Sequence, residues 1–218
     1  MGKIDFDVEY LEKLYYLDEE NENKDIYIRN KVDRNFENMI EKFLEDGKVN
    51  IHVLAWKWGN QSIVEQIGNG KPQIYNGNRL IDSEKIMNTI EWINENEQNL
   101  KDLIRKDIGE AYELIRDNTR GIYFGPVYII NILYFLSSGE IPIYDRFAHK
   151  AVKALYLEKM PYEIYVGYPV DCNCTEEIMA MLNEYRWLLR EKFGTDKINR
   201  KIDRALWVYG HMRKSKEE

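Results

Sequence analysis

The sequence predicts an all-α protein folded around one or two closely packed helical cores. Two observations carry this. Apolar residues recur three and four apart along most of the chain, and glycine- or proline-bearing stretches fall between those runs. A third observation sets the exception, because residues 50–80 lack that period and read as the least helical part. With 218 residues, 44% hydrophobic and 13% aromatic, the chain can bury a sizeable core and is too apolar to stay disordered. It reads as a single compact unit over 1–218, and two lobes, 1–98 with 175–218 and 99–174, are the alternative division.

Leu11, Leu14, Tyr15 and Leu17 predict a short N-terminal helix, and the polar run DEENENKD after it reads as a loop. Val32, Phe36, Met39, Ile40 and Phe43 form the stripe of a helix over about 30–44, with Gly47 where a C-cap glycine belongs. The run IHVLAWKW is β-branched and aromatic, and GNGKPQIYNG sets turn formers around a short apolar patch. A small β-hairpin near residues 50–80 is therefore expected, with a helix over 51–58 that stops at Gly59 as the alternative.

From residue 82 the helical period returns. Ser83, Glu84 and Lys85 open a helix whose buried stripe is Ile86, Ile90, Trp92 and Ile93. Another helix is expected over 99–116 through Leu100, Leu103, Ile104, Ile108, Ala111, Leu114 and Ile115, until DNTRGIYFGP breaks the pattern. Residues 127–136 are apolar nearly all round, as a centrally buried helix requires. SSGEIP ends that helix and another follows over 145–157. Residues 159–174 are irregular and contain Pro161 and Pro169. Two amphipathic helices, about 175–193 and 196–211, are divided by Gly194.

Composition excludes several classes. The longest apolar stretch, 128–136, is interrupted by Asn131 and falls short of the roughly 20 residues a membrane span needs. The opening MGKIDFDVEYLEK puts acidic residues where a signal peptide would be apolar, so no membrane partner and a cytoplasmic address are expected. Cys172 and Cys174, one residue apart, are expected to be free thiols, and two cysteines cannot ligate a four-cysteine iron–sulfur cluster. With three histidines and no spaced Cys/His set, neither a metal site nor any other cofactor is expected. GNGKP lacks the spacing and the Lys-Ser/Thr end of a phosphate-binding loop, and there is no Gly-x-Ser-x-Gly turn.

The net charge of −7 argues against nonspecific coating of nucleic acid, but it is unevenly spread. Residues 1–144 carry 17 basic and 26 acidic side chains, whereas residues 145–216 carry 14 basic and 10 acidic. A polyanion site would lie in the C-terminal third. There Arg186 and Arg190, then Lys197, Lys201 and Arg204, recur at helical spacing and are candidates for a stripe along a phosphate backbone. An ordinary solvated face with internal salt bridges is the plainer reading.

Residues 103–157 read as a helix, a glycine-containing hairpin, a buried helix, a short loop and a helix begun by Asp145. On spacing alone Asp145 is an N-cap, whose carboxylate accepts a backbone N–H bond and favours the positive end of the helix. His149 follows one turn later on the same face, positioned to share a cleft with it.

Two elements of this segment resemble the helix-hairpin-helix DNA glycosylases. Gly125 ends the hairpin, and Pro142-Ile143-Tyr144-Asp145 then leads into Arg146-Phe147-Ala148-His149-Lys150-Ala151-Val152. The likeness spans about 35 of the 218 residues. It implies a two-lobed helical fold, a double-stranded DNA partner with a flipped base, and Asp145 as the catalytic carboxylate. Such a carboxylate stabilises the cationic sugar formed as the N-glycosidic bond breaks, or activates the attacking water. Gly121 and Gly125 would bring backbone N–H groups to a phosphate, and Arg146, His149 and Lys150 would be further nucleic-acid contacts.

The sequence departs from the family at two places. Val127 stands where bifunctional members carry the Schiff-base lysine, so monofunctional base removal without lyase activity is expected. The hairpin RGIYFGP places bulky Tyr123 and Phe124 inside what is usually a tight Gly-x-Gly turn. Trp56, Trp58, Tyr123 and Phe124 are candidate platforms for an extruded base, although core packing is the commoner role of an aromatic. The alternative function is a non-catalytic helical module that binds nucleic acid or another protein on the same scaffold.

Overall fold

A computed structural model describes residues 6–16, 34–57, 65–67, 71–76, 79–81, 83–119, 125–167, 171 and 173–213. The protein is predominantly helical. Its elements in chain order are α1 (Val8–Tyr16), α2 (Arg34–Glu45), α3 (Ile51–Lys57), β1 (Glu65–Ile67), β2 (Lys71–Asn76), β3 (Arg79–Ile81), α4 (Ser83–Glu95), α5 (Glu97–Lys106) and α6 (Ile108–Asn118). They continue with α7 (Pro126–Leu136), α8 (Arg146–Tyr156), a 3₁₀ turn (Pro161–Glu163), α9 (Thr175–Phe193) and α10 (Arg200–Gly210). None of these helices is long and apolar enough to cross a membrane.

The chain divides into two compact units. One comprises Met1–Asp33, Pro142–Tyr168 and Ala180–Glu218, and the other Arg34–Ile141 and Pro169–Met179. The division falls elsewhere than at residues 98 and 174, because it follows tertiary packing: α1, from the start of the sequence, and α8 both pack on α10.

In the unit built on residues 34–141, α7 is the centre, touched by α2, α3, α5 and α6. Ile129, Ile130, Ile132, Leu133 and Phe135 are buried, as the nearly all-round apolar sequence of this helix demands, and Asn131 is buried with them. Residues 51–57 form a helix, and antiparallel strands follow it. β1 pairs with β2 (Glu65 opposite Gln73) and β2 with β3 (Ile74 opposite Ile81). The helix expected over 99–116 is interrupted at Asp107, whose extended backbone (φ −152°) and carboxylate, accepting from Gly109 N at 2.8 Å and Glu110 N at 3.1 Å, start α6 anew. An aspartate competes with the helix for its own backbone donors, and apolar periodicity alone does not register that competition. Gly47 ends α2 with φ +62°, a left-handed conformation that favours glycine.

In the other unit α10 is the central element. Its Leu206, Ala205, Val208 and Tyr209 are buried, and α1 supplies Leu11, Tyr15 and Tyr16 to the same core. Trp207 meets the edge of Tyr15 at 5.6 Å. Asn199 caps α10 by accepting from Ile202 N at 2.9 Å, so the helix begins at 200 and not at 196. At its far end α10 passes so close to α8 that a Cβ on Gly210 would lie 2.0 Å from the carbonyl oxygen of Phe147. Only a residue without a side chain fits there.

Gly210→Ala is therefore expected to destabilise the protein by about 2–3 kcal/mol, since overpacking against backbone outweighs the roughly 1 kcal/mol by which helix propensity favours alanine. Urea unfolding measures this. Gly167→Ala is the control, because no described residue lies within 4 Å of its Cβ position, and it should change stability by less than about 0.5 kcal/mol.

Candidate functional site

The first turn of α8 carries the residues singled out by the sequence. Ile141, Pro142, Ile143 and Tyr144 are all buried, so the approach to the helix is held by packing. Asp145 then leaves the loop in extended conformation (φ −140°, ψ 139°), and its Oδ1 accepts from Phe147 N at 2.7 Å. The N-cap expected of this residue is thus formed, and it fixes the carboxylate at the positive end of α8. Asp145 is half-buried, Arg146 beside it is exposed, and Lys150 one turn on is half-buried. The Arg146 guanidinium lies 5.3 Å over the Phe147 ring. Burial, and then the charge of Arg146, hold the Lys150 ammonium below its ordinary pKa.

His149 does not share this surface. It is fully buried, which corrects the expectation of an accessible contact. Its Nδ1 lies 3.1 Å from the Tyr144 hydroxyl, its ring packs on Tyr185 at 5.4 Å, and its Nε2 is 3.6 Å from a Glu184 carboxylate oxygen that cannot quite be reached by a hydrogen bond. The tautomer that suits both neighbours carries the proton on Nε2 and accepts from the Tyr144 hydroxyl. Lys153 donates to the other Glu184 oxygen at 2.6 Å. The imidazole faces inward because α8 is covered along more than one side, burying Ala148, Ala151, Val152 and Ala154 as well. Its role is to anchor Tyr144, the residue just before Asp145.

A residue not expected here joins the site. His211, directly after α10, stacks on Phe147 with centroids 3.6 Å apart and planes 25° apart, and contacts Trp207 at 4.1 Å. Its Nδ1–H donates to the Trp207 carbonyl at 2.7 Å. Burial lowers the His211 pKa, the Trp207 carbonyl and the Asp145 carboxylate raise it, and Lys150 and Arg213 lower it again, with a net fall. Asp145 and His211 are therefore electrostatic neighbours although far apart in sequence. The only sequence signal was the Gly-His pair at the end of an amphipathic helix, and no spacing rule connects it to residue 145.

The candidate basic stripe is largely consumed by internal ion pairs. Arg186 and Arg190 both donate to Asp196, at 2.6 and 2.7 Å, Lys201 pairs with Glu9, and Arg204 donates to Glu12 at 2.9 Å. Asp196 shows the balance: burial raises its pKa, but hydrogen bonds from the two guanidiniums lower it further, so it stays charged.

In the other unit, Gly125 is the N-cap position of α7 in ordinary backbone (φ −68°, ψ 169°). Among the described residues a Cβ there would meet only Tyr128, at 3.9 Å. Val127 is buried at the start of α7. Trp56 donates to the fully buried Glu37 at 2.7 Å and meets Phe135 edge-on, which makes it part of the core. Gly121, Tyr123, Phe124, Trp58 and Cys172 lie outside the described residues, and Cys174 is half-buried, with its side chain hydrogen-bonded to Asp171. Among the described residues no cluster of His, Cys, Asp and Glu could hold a metal ion.

The His149 pKa falls from 6.5 to about 4, chiefly through burial, with Glu184 opposing and Lys153 assisting. Between those values the unfolded chain binds a proton that the folded protein refuses. The neutral histidine therefore costs the fold nothing above pH 6.5, and stability is progressively lost as pH falls toward 4, by on the order of 3 kcal/mol. Unfolding measured against pH should show this loss in wild type and a smaller loss over the same range in His149→Gln.

No protein-family model, no curated protein and no solved structure matches this chain.

Proposed function

We propose that the first turn of α8 is the catalytic end of a DNA glycosylase-like enzyme that removes a damaged or mismatched base by hydrolysing its N-glycosidic bond. The observation that carries this reading is the setting of Asp145. A half-buried carboxylate is clamped by the Phe147 amide at a helix start, behind a packed Pro142-Ile143-Tyr144 approach, with the cations Arg146 and Lys150 on the following turn. A carboxylate held in a fixed place before the reaction stabilises developing positive charge on a sugar more effectively than one that must reorganise. Arg146 and Lys150 are suited to the phosphates flanking an extruded nucleotide in double-stranded DNA.

Support of a different kind comes from Gly125, where the described residues leave room for a side chain that the sequence does not supply. A glycine not demanded from within is consistent with close approach of a phosphate from outside. Gly121 keeps the same role by resemblance alone. Valine at position 127 has no amine to form a Schiff base, so water and not the protein is the nucleophile in this reading.

Single-turnover base release from a panel of duplexes, each with one damaged or mismatched base, tests the reading. Asp145→Asn, with unchanged circular dichroism, should lose about 10²–10⁴-fold in rate. Borohydride should trap no covalent protein–DNA adduct. Absence of release from every duplex would remove the enzymatic reading.

A second reading is favoured by one specific feature. Tyr156 and Trp187 are 43% and 45% exposed and meet edge to face at 5.0 Å, with Leu157 also exposed at 44%. Neighbouring exposed apolar side chains of this kind mark interaction surfaces, as a non-catalytic binding module requires. In that case binding to its partner should be weakened at least tenfold by Trp187→Ala and left unchanged by Asp145→Asn, as titration calorimetry would show.

A further inference from the structure

We propose that His211 is the proton acceptor of this site, working beside Asp145. The proposal rests on the glycosylase reading and divides the labour within it: the Asp145 carboxylate balances the cationic sugar, and His211 Nε2 takes the proton of the attacking water. As the reaction proceeds the C1′–N bond breaks, and its electron pair leaves on the base, which takes a proton from solvent. The water oxygen bonds to C1′ while one of its protons passes to Nε2. The imidazolium then returns that proton to solvent, and the sum is addition of one water across the glycosidic bond.

Three features of the geometry point to this. First, the tautomer is fixed, because a carbonyl can only accept: the Trp207 oxygen at 2.7 Å holds the proton on Nδ1 and leaves the lone pair on Nε2. Nε2 has no hydrogen-bond partner among the described residues, and the side chain is only partly buried. Second, the ring is held between Phe147 and Trp207, so its plane is set before any substrate arrives. Third, Gly210 brings the end of α10 onto the residue that clamps Asp145, since Phe147 both donates its amide to the carboxylate and stacks on the imidazole. A base oriented through one ring nitrogen and free at the other, beside a carboxylate that favours its protonated form, repeats the logic by which histidine serves as a general base elsewhere.

The surrounding charges agree with this role. Burial keeps the imidazole neutral, and so able to accept, at neutral pH. Asp145 favours its protonation, while Lys150 on α8 and Arg213 beyond α10 oppose it. The acidic groups on the other elements packed against α10 are engaged elsewhere: Glu9 and Glu12 of α1 with Lys201 and Arg204, and Glu163 with the Met160 amide at 2.8 Å.

Two measurements on the full chain test the proposal. Nitrogen-15 NMR of the three histidines should find His211 protonated on Nδ1 when neutral, with a pKa that falls further in Asp145→Asn. A proton on Nε2, or a pKa indifferent to that substitution, would overturn it. Single-turnover base release should slow about 10²-fold in both His211→Gln and His211→Phe, and the acidic limb of the wild-type pH–rate profile should vanish in both. The phenylalanine keeps the stacking without the nitrogen, so loss of packing alone would spare it. Asp145-dependent release that proceeds unchanged in both variants sinks the role of His211 and leaves the glycosylase reading standing. No release by wild type removes both.

Discussion

The candidate site depends on the approach of α10 to the first turn of α8. Helices whose axes are separated by ordinary side chains lie about 8–10 Å apart, and at Gly210 there is no side chain to hold them off. The end of α10 rests on the Phe147 carbonyl, and the pairing of Asp145 with His211 follows from that contact. Phe147 becomes a shared support, giving its amide to Asp145 and its ring to His211. A bulkier residue at 210 would have to displace backbone, so the carboxylate and the imidazole would be expected to separate with it.

A second constraint acts from beneath. His149 is buried as a neutral ring, tied to Tyr144 and facing Glu184, which also receives Lys153. Burying an imidazole is unfavourable unless its nitrogens find partners, and here Nδ1 has the Tyr144 hydroxyl, while Nε2 makes no hydrogen bond among the described residues and only faces the Glu184 carboxylate on α9. The same turn of α8 thus carries two histidine environments. His149 is dry and internal, and His211 is half-exposed and charge-linked to Asp145. Both are neutral at neutral pH through burial, but of the two only His211 keeps part of its side chain at the surface.

The basic residues of the last two helices illustrate why charge spacing is an incomplete guide to an interface. Arg186, Arg190, Lys201 and Arg204 recur at helical intervals, as a phosphate-tracking face would, yet each has an acidic partner within the same unit. Asp196 alone satisfies two guanidiniums. A guanidinium already bound to a fixed carboxylate gains little by exchanging it for a phosphate, whereas Arg146 is exposed and lies over an aromatic ring.

Most of the helices could be read from the chain by itself, because apolar residues three and four apart impose a buried stripe wherever they occur. The all-round apolar character of 127–136 announced a central helix, and Asp145 announced a helix start, through local rules that need no partner. The break at Asp107 and the delayed start of α10 were missed because a capping side chain can interrupt an apolar period without altering it. What only the tertiary structure decided is which side chains meet. His149 goes inward because neighbouring helices cover its side of α8, and His211 joins Asp145 because a glycine lets two distant helix ends touch. Contacts of that kind depend on the distance between backbones, which no one-dimensional spacing encodes.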